Sequence, residues 1–138
     1  MPAVTTQTNA TATFRRSVRV LAVDDQRPFR QAARALVSQT AGFDLVAEAG
    51  DGPEALRAAR EADPDMVLLD VRIPGIDGIE TARRMSAEDA SRVIVLASSA
   101  DIPSLPGLAE DCGAAALVRK HWLTPHLLRG LWVAHRRR

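Results

Sequence analysis

Four side chains carry the chemistry this sequence can offer: Asp24, Asp25, Asp70 and Lys120. Each stands at the end of a short apolar run: residues 18–23 precede the acid pair, residues 66–69 precede Asp70, and residues 115–118 come just before Lys120. Three carboxylates from separate strands that converge on one crevice repel one another, which raises the pKa of at least one unless a cation sits among them. No His or Cys accompanies them in the pattern, so a hard, oxygen-seeking ion such as magnesium suits them best. A lysine at the same rim is a point cation beside an acidic cluster, and it suggests that a further anion, most simply a phosphoryl group, is held there. A single Asp at a strand end is usually a solvated turn or a helix cap, and Asp24 or Asp25 could cap the helix that follows. That explanation does not extend to four such residues at one rim.

The elements that must position these groups follow from the pattern of apolar residues. Five short apolar runs (18–23, 45–49, 66–69, 93–97 and 115–118) alternate with segments of helical periodicity. This is the signature of repeated β-α units and a parallel sheet, and the central runs are apolar on both faces, as strands covered by helices must be. Phe29, Ala33, Leu36 and Val37 predict a first helix turned inward, with Gly42 placed to stop it in the left-handed conformation. Asp51 and Glu54 form a capping box around Gly52-Pro53 and open a second helix with Ala55, Leu56 and Ala59 on its apolar face. Asp77 caps a third helix that carries Ile79, Ala82 and Met85, after a turn shaped by Pro74-Gly75. Thr124-Pro125 opens a last helix with Leu127, Leu128, Leu131 and Ala134 inward. Open sheets of this kind bind ligands outside the carboxyl ends of their strands, where the four polar residues lie.

Composition narrows the class. A chain of 138 residues, 46% hydrophobic, can bury one ordinary core. The net charge of +1 gives no reason to invoke nucleic acid or an anionic membrane, and the closing His135-Arg136-Arg137-Arg138 reads as cations at a helix C-terminus. Cys112, the single cysteine, cannot form an internal bridge and reads as small core filler. No stretch suits a signal peptide or membrane span, so the expectation is a soluble cytoplasmic protein. Residues 1–17, rich in Thr, Ala and Asn, are expected to form a flexible tail, with one domain over residues 18–138 and no room for an effector domain. His121, His126 and His135 are expected at the surface.

The strings Val23-Asp24-Asp25, Leu69-Asp70-Val71-Arg72-Ile73-Pro74-Gly75-Ile76-Asp77-Gly78 and Val118-Arg119-Lys120 resemble the receiver domain of response regulators in two-component signalling. The resemblance runs from Val18 to about Ala134. It implies a flavodoxin-like, doubly wound, five-stranded parallel sheet in the order 2-1-3-4-5 with helices on both faces. It also implies that Asp70 accepts a phosphoryl group and that Asp25, Asp70 and the backbone carbonyl of Arg72 coordinate Mg2+ directly. Asp24 would act mainly through a bound water, and Lys120 would grip a phosphoryl oxygen. The donor would be a histidine kinase or phosphotransfer protein, and signalling would pass through contacts with an unknown downstream protein, with no membrane and no direct nucleic-acid binding.

The sequence departs from that family in its switching apparatus. The Thr or Ser that usually bonds the phosphoryl group aligns with Ala97, so either Ser98 substitutes or the hydroxyl is missing. The aromatic residue three before the lysine is Leu117, and His121 stands where a proline commonly follows. Pro103 and Pro106 limit the fourth helix, between residues 101 and 112, to about two turns after Pro106. Three classes are thus in play. The first is an active receiver that promotes its own phosphorylation and dephosphorylation without being a conventional enzyme. The second is a degenerate receiver used as a phosphorylation-independent module, or the receiver part of a longer DNA-binding regulator. The third is a small phosphohydrolase, disfavoured because Arg72 occupies the place of the second Asp such enzymes carry two residues after the first.

Overall fold

The computed structural model describes residues 17–99 and 111–136. Strands β1 (Val18–Val23), β2 (Phe43–Ala49), β3 (Met66–Asp70), β4 (Val93–Ser98) and β5 (Ala116–Arg119) alternate with helices α1 (Arg27–Ser38), α2 (Gly52–Ala62), α3 (Gly78–Glu88) and α4 (Pro125–His135). The strands form one parallel sheet in the order β2-β1-β3-β4-β5. The expected parallel sheet and its strand order are therefore those observed. The expected fourth helix and most of the N-terminal tail lie outside the described residues.

Two cores, one on each face, explain the apolar runs. On one face Leu21, Val23, Val67, Leu69, Ile94 and Leu96 meet Ala55, Leu56 and Ala59 of α2 and Ile79, Ala82 and Met85 of α3, with Cys112 buried among them. On the other, Val20, Met66, Leu68, Val93, Val95, Ala97 and Val118 meet Val37 of α1 and Leu128 of α4. A residue and its immediate successor point to opposite faces of a strand, so each run had to be apolar throughout. A register shift between Val20 and Leu21 lets Leu45 and Ala47 of β2, two residues apart, serve opposite cores.

The caps follow the sequence closely. Asp51 accepts from the Glu54 amide at 2.7 Å, Asp77 from the Glu80 amide at 2.8 Å, and Thr124 from the Leu127 amide at 3.1 Å. The box on α2 closes one residue earlier than expected, because the Glu54 carboxylate accepts from the amide of Gly50 at 2.7 Å. Three expectations need correction. Gly42 is left-handed (φ 86°), but α1 has already ended at Ser38 with Gln39 as its right-handed C-cap; Gly42 instead shapes the turn that delivers its carbonyl to the Val18 amide at 2.7 Å. Ala134 is exposed on the last turn of α4. Phe29 is 36% exposed, because the first turn of α1 overhangs the carboxyl edge of the sheet instead of lying on it.

Gly78 sets the close approach of α3 to the site. A Cβ there would stand 2.2 Å from the Asp70 carbonyl oxygen and 2.7 Å from Val71 Cα, both backbone atoms that cannot swing aside. Gly78→Ala is expected to destabilise the protein by about 1–3 kcal/mol through overpacking, read as a lowered denaturant midpoint. An unchanged midpoint would show that α3 lifts off the β3 loop freely.

Candidate functional site

Strand register and side-chain alternation assemble the site. Val23 pairs with Leu69, Asp70 with Ala97, and Ala97 with Val118, so the carboxyl ends of β1, β3, β4 and β5 lie side by side. Counting by twos from the core residues Val20, Met66, Val93 and Val118 reaches Asp24, Asp70, Ala97 and Lys120, which therefore crown the face packed by α1 and α4. Asp25, one residue on, is exposed, and Ser98 falls on the opposite pleat from Ala97.

The geometry brings the sequence-nominated carboxylates together. Asp24, Asp25 and Asp70 each offer an oxygen within 4.8 Å of the others. Asp24 and Asp70 are only 6% and 8% exposed. Lys120 reaches between them, with Nζ 2.5 Å from Asp24 Oδ2 and 3.4 Å from Asp70 Oδ2. One oxygen of Asp24 accepts from the Gln26 amide at 3.0 Å, and one oxygen of Asp70 accepts from the Arg72 amide at 3.2 Å, so both carboxylate planes are fixed by the loops that follow them. Burial, reinforced by the charge of Asp24, holds the Asp70 carboxyl above the ordinary range, against the opposing pull of the Arg72 amide and of Lys120. A divalent cation among these three groups would relieve that penalty, and an all-carboxylate donor set with room on the exposed Asp25 side fits magnesium.

Ala97 lines the cavity beside Asp70 and Lys120, whereas Ser98 is buried one residue beyond it and pairs across the ladder with Arg119. Leu117 is half-buried and packs against the α2–α3 core. Arg72 is exposed, and its backbone amide supports the cluster. His121, His126 and His135 are exposed, as expected.

Two residues that the sequence reading did not nominate belong to this site. Arg30 donates to the Asp24 carbonyl at 2.7 Å while its guanidinium lies 3.7 Å from Glu48, tying the start of α1 to the end of β1. Phe29 places its ring 3.6 Å from Lys120 Nζ. One signal for the importance of Lys120 was present in the sequence: it is the only lysine, every other strong cation being arginine.

A doubly wound, flavodoxin-like sheet with an acidic, lysine-braced pocket at its carboxyl edge defines the structural class. The family model described as the response regulator receiver domain matches residues 20–131. A protein-glutamate methylesterase/protein-glutamine glutaminase of Myxococcus xanthus is 36% identical over 104 residues, 75% of this chain and 30% of that protein. The virulence-factor transcription regulator BvgA of Bordetella pertussis is 40% identical over 107 residues, 75% of this chain and 49% of that protein. The crystal structure of a LuxR-family two-component response regulator from Aurantimonas superposes with a TM-score of 0.78 at 31% identity, covering 87% of this chain and 88% of that one. This chain belongs to the response regulator receiver family. It spans about a third to a half of the length of the curated relatives it matches, 30% of the first and 49% of the second. Among the described residues no helix is long and apolar enough to cross a membrane.

Proposed function

We propose that this chain is a phosphoryl-accepting receiver: Asp70 takes a phosphoryl group, in a Mg2+-dependent reaction, from the phosphohistidine of a histidine kinase or phosphotransfer protein. It then signals in the cytoplasm through contacts with a downstream protein. The observation that carries this reading is the convergence of a buried Asp70 with two further carboxylates and one lysine at the end of β3.

The chemistry assigned to each residue follows from its position. The acceptor's Oδ forms the new bond to phosphorus as the phosphorus–nitrogen bond of the donor breaks and the electron pair returns to the imidazole. The Arg72 amide holds the Asp70 carboxylate in one orientation for that attack. Asp25, Asp70 and the Arg72 carbonyl would hold Mg2+, with Asp24 acting through water; the ion, when bound, supplies the positive charge that offsets repulsion between the carboxylates and the incoming group. Lys120 is placed to move its hydrogen bond from Asp70 to a phosphoryl oxygen. The same pocket promotes return of the group to water, so the chain turns over its own modification without acting on another substrate.

Titration with Mg2+ tests the metal assignment. Asp25→Ala is expected to weaken binding at least about tenfold, by the loss of a direct charged ligand. Asp24→Ala should cost less, because Asp24 is already engaged by Lys120 and the Gln26 amide. Equal losses would point to a different coordination. A second reading, in which the chain acts as a phosphorylation-independent module, is favoured by the absence of a hydroxyl at Ala97 and of an aromatic ring at Leu117; a place as the receiver part of a longer DNA-binding regulator is favoured instead by its match to 49% of the length of BvgA. Coupling between site and surface can be no larger than the differential contacts the two states make. Amide chemical shifts over residues 93–120 are therefore expected to change little on addition of beryllofluoride and Mg2+, and Ala97→Ser should enlarge the response more than Ser98→Ala reduces it. Large concerted shifts in wild type that vanish in Ser98→Ala would instead give Ser98 the phosphoryl hydrogen bond.

A further inference from the structure

We propose that Phe29 is a positioning residue for Lys120, its ring serving as the third wall that keeps the ammonium at Asp70; this rests on the reading of Asp70 as phosphoryl acceptor. Lysine is a compact charge on a flexible four-carbon stem, and nothing in its own covalent structure holds it between two carboxylates at unequal distance. Here Nζ lies 2.5 Å from Asp24, 3.4 Å from Asp70 and 3.6 Å from the centroid of the Phe29 ring. A cation within about 6 Å of a ring centroid is drawn to the negative face of the π-system, most strongly where water is partly excluded. The lysine side chain is only 12% exposed.

The placement of the ring is built into the fold. Phe29 sits in the first turn of α1, whose start is tied to the end of β1 by the Gln26 amide on Asp24 Oδ1 and by Arg30 on the Asp24 carbonyl. The turn that carries the ring is therefore fixed to Asp24, the same residue that holds the ammonium. A core role does not account for Phe29, because it is 36% exposed and contributes to neither buried cluster. The ring lines a cavity of about 110 Å³ together with Asp24, Asp70, Ala97 and Lys120. At Ala97, where a hydroxyl would have offered a hydrogen bond, the wall is a methyl group. The aromatic face thus adds a contact to an ammonium that Ala97 cannot hydrogen-bond.

The single lysine makes the idea directly measurable. In protein labelled with 13C at lysine Cε, one Cε–Hε correlation is expected, shifted upfield by the Phe29 ring in wild type and in Phe29→Tyr, and returned to the ordinary lysine position in Phe29→Leu. Affinity for beryllofluoride with Mg2+ should fall about five- to tenfold in Phe29→Leu, which keeps apolar volume and loses the quadrupole, and stay within about twofold of wild type in Phe29→Tyr. Circular dichroism checks that each variant is folded, as expected for a half-exposed position. A Phe29→Leu protein that matches wild type in both signal and affinity would falsify the inference. So would a wild-type lysine signal at the ordinary position. If wild type takes neither beryllofluoride nor a phosphoryl group, the reading of Asp70 fails and this inference falls with it; if wild type takes both and only the Phe29 series is flat, the inference alone fails.

Discussion

Incubated with a small-molecule phosphodonor and Mg2+, the wild-type chain should gain the mass of one phosphoryl group, and Asp70→Ala should gain none. The expectation is all-or-none because Asp70 is buried, oriented by a backbone amide and within reach of the other acids, while Lys120 stands 3.4 Å from it against 2.5 Å from Asp24. Asp25 shares the cluster but is exposed, and Asp24 is saturated by Lys120 and the Gln26 amide. Full modification of Asp70→Ala would move the acceptor to another group. The same residue predicts a pH effect in metal-free protein. Burial first, and then the charge of Asp24, raise the Asp70 carboxyl above its unfolded value, so the folded state binds that proton more tightly than the unfolded chain does. An acid shifted in this direction costs stability above its folded pKa, and the cost disappears below its unfolded pKa. With a chelator present, Asp70→Asn should therefore be more stable than wild type at pH 7, and the two denaturation midpoints should converge as pH falls through the carboxylate range. A gap that widens on acidification would mean that the carboxylate is stabilised in the fold, contrary to its surroundings.

Much of this site was legible before any coordinates because parallel sheets impose a strict arithmetic. Strands buried on both faces must be apolar throughout, so the end of each run marks the carboxyl edge where ligands bind. Asp24, Asp70 and Lys120 could be placed at one rim for that reason, and Asp51, Asp77 and Thr124 declared the helix starts through their caps. What could not be read was whatever depends on where a helix begins relative to the sheet. Helical periodicity puts Phe29 on one stripe with Ala33 and Leu36, yet the stripe's first member overhangs the sheet edge and meets a lysine from the far end of the chain. The same blindness applied to Gly42, whose left-handed backbone serves the entry to the sheet four residues after α1 has stopped. Ala97 and Ser98 posed a subtler problem. Adjacent residues at a strand end differ only in parity, and parity became visible once Asp70 was seen to pair with Ala97.

Replacement of Lys120 should produce the largest change in stability, and its dependence on magnesium tests the whole site at once. Lys120 is the counter-ion common to Asp24 and Asp70, at 2.5 and 3.4 Å, with both carboxylates nearly enclosed. Removing one partner of a buried ion pair leaves the other charge desolvated and unpaired, which costs about 3–5 kcal/mol. Lys120→Ala in chelator should lie toward the lower end of that range, since Asp70, whose carboxyl burial already holds above the ordinary range, can escape part of the penalty by binding a proton. Magnesium should then restore much of the loss, because a divalent ion between Asp24, Asp25 and Asp70 neutralises the same charges from the other side, and ligand binding to the folded state raises its stability by mass action. The variant should consequently gain more from Mg2+ than wild type gains. Phosphoryl uptake should not be rescued to the same degree: the lost charge-assisted donor to the phosphoryl oxygen should slow it by about 10²-fold even at saturating metal. Stability and reactivity would thus separate, with the metal substituting for lysine in holding the acids and failing to substitute for it in gripping the transferred group. A Lys120→Ala protein that magnesium does not stabilise would show that the three carboxylates, close as they are, do not form a metal site.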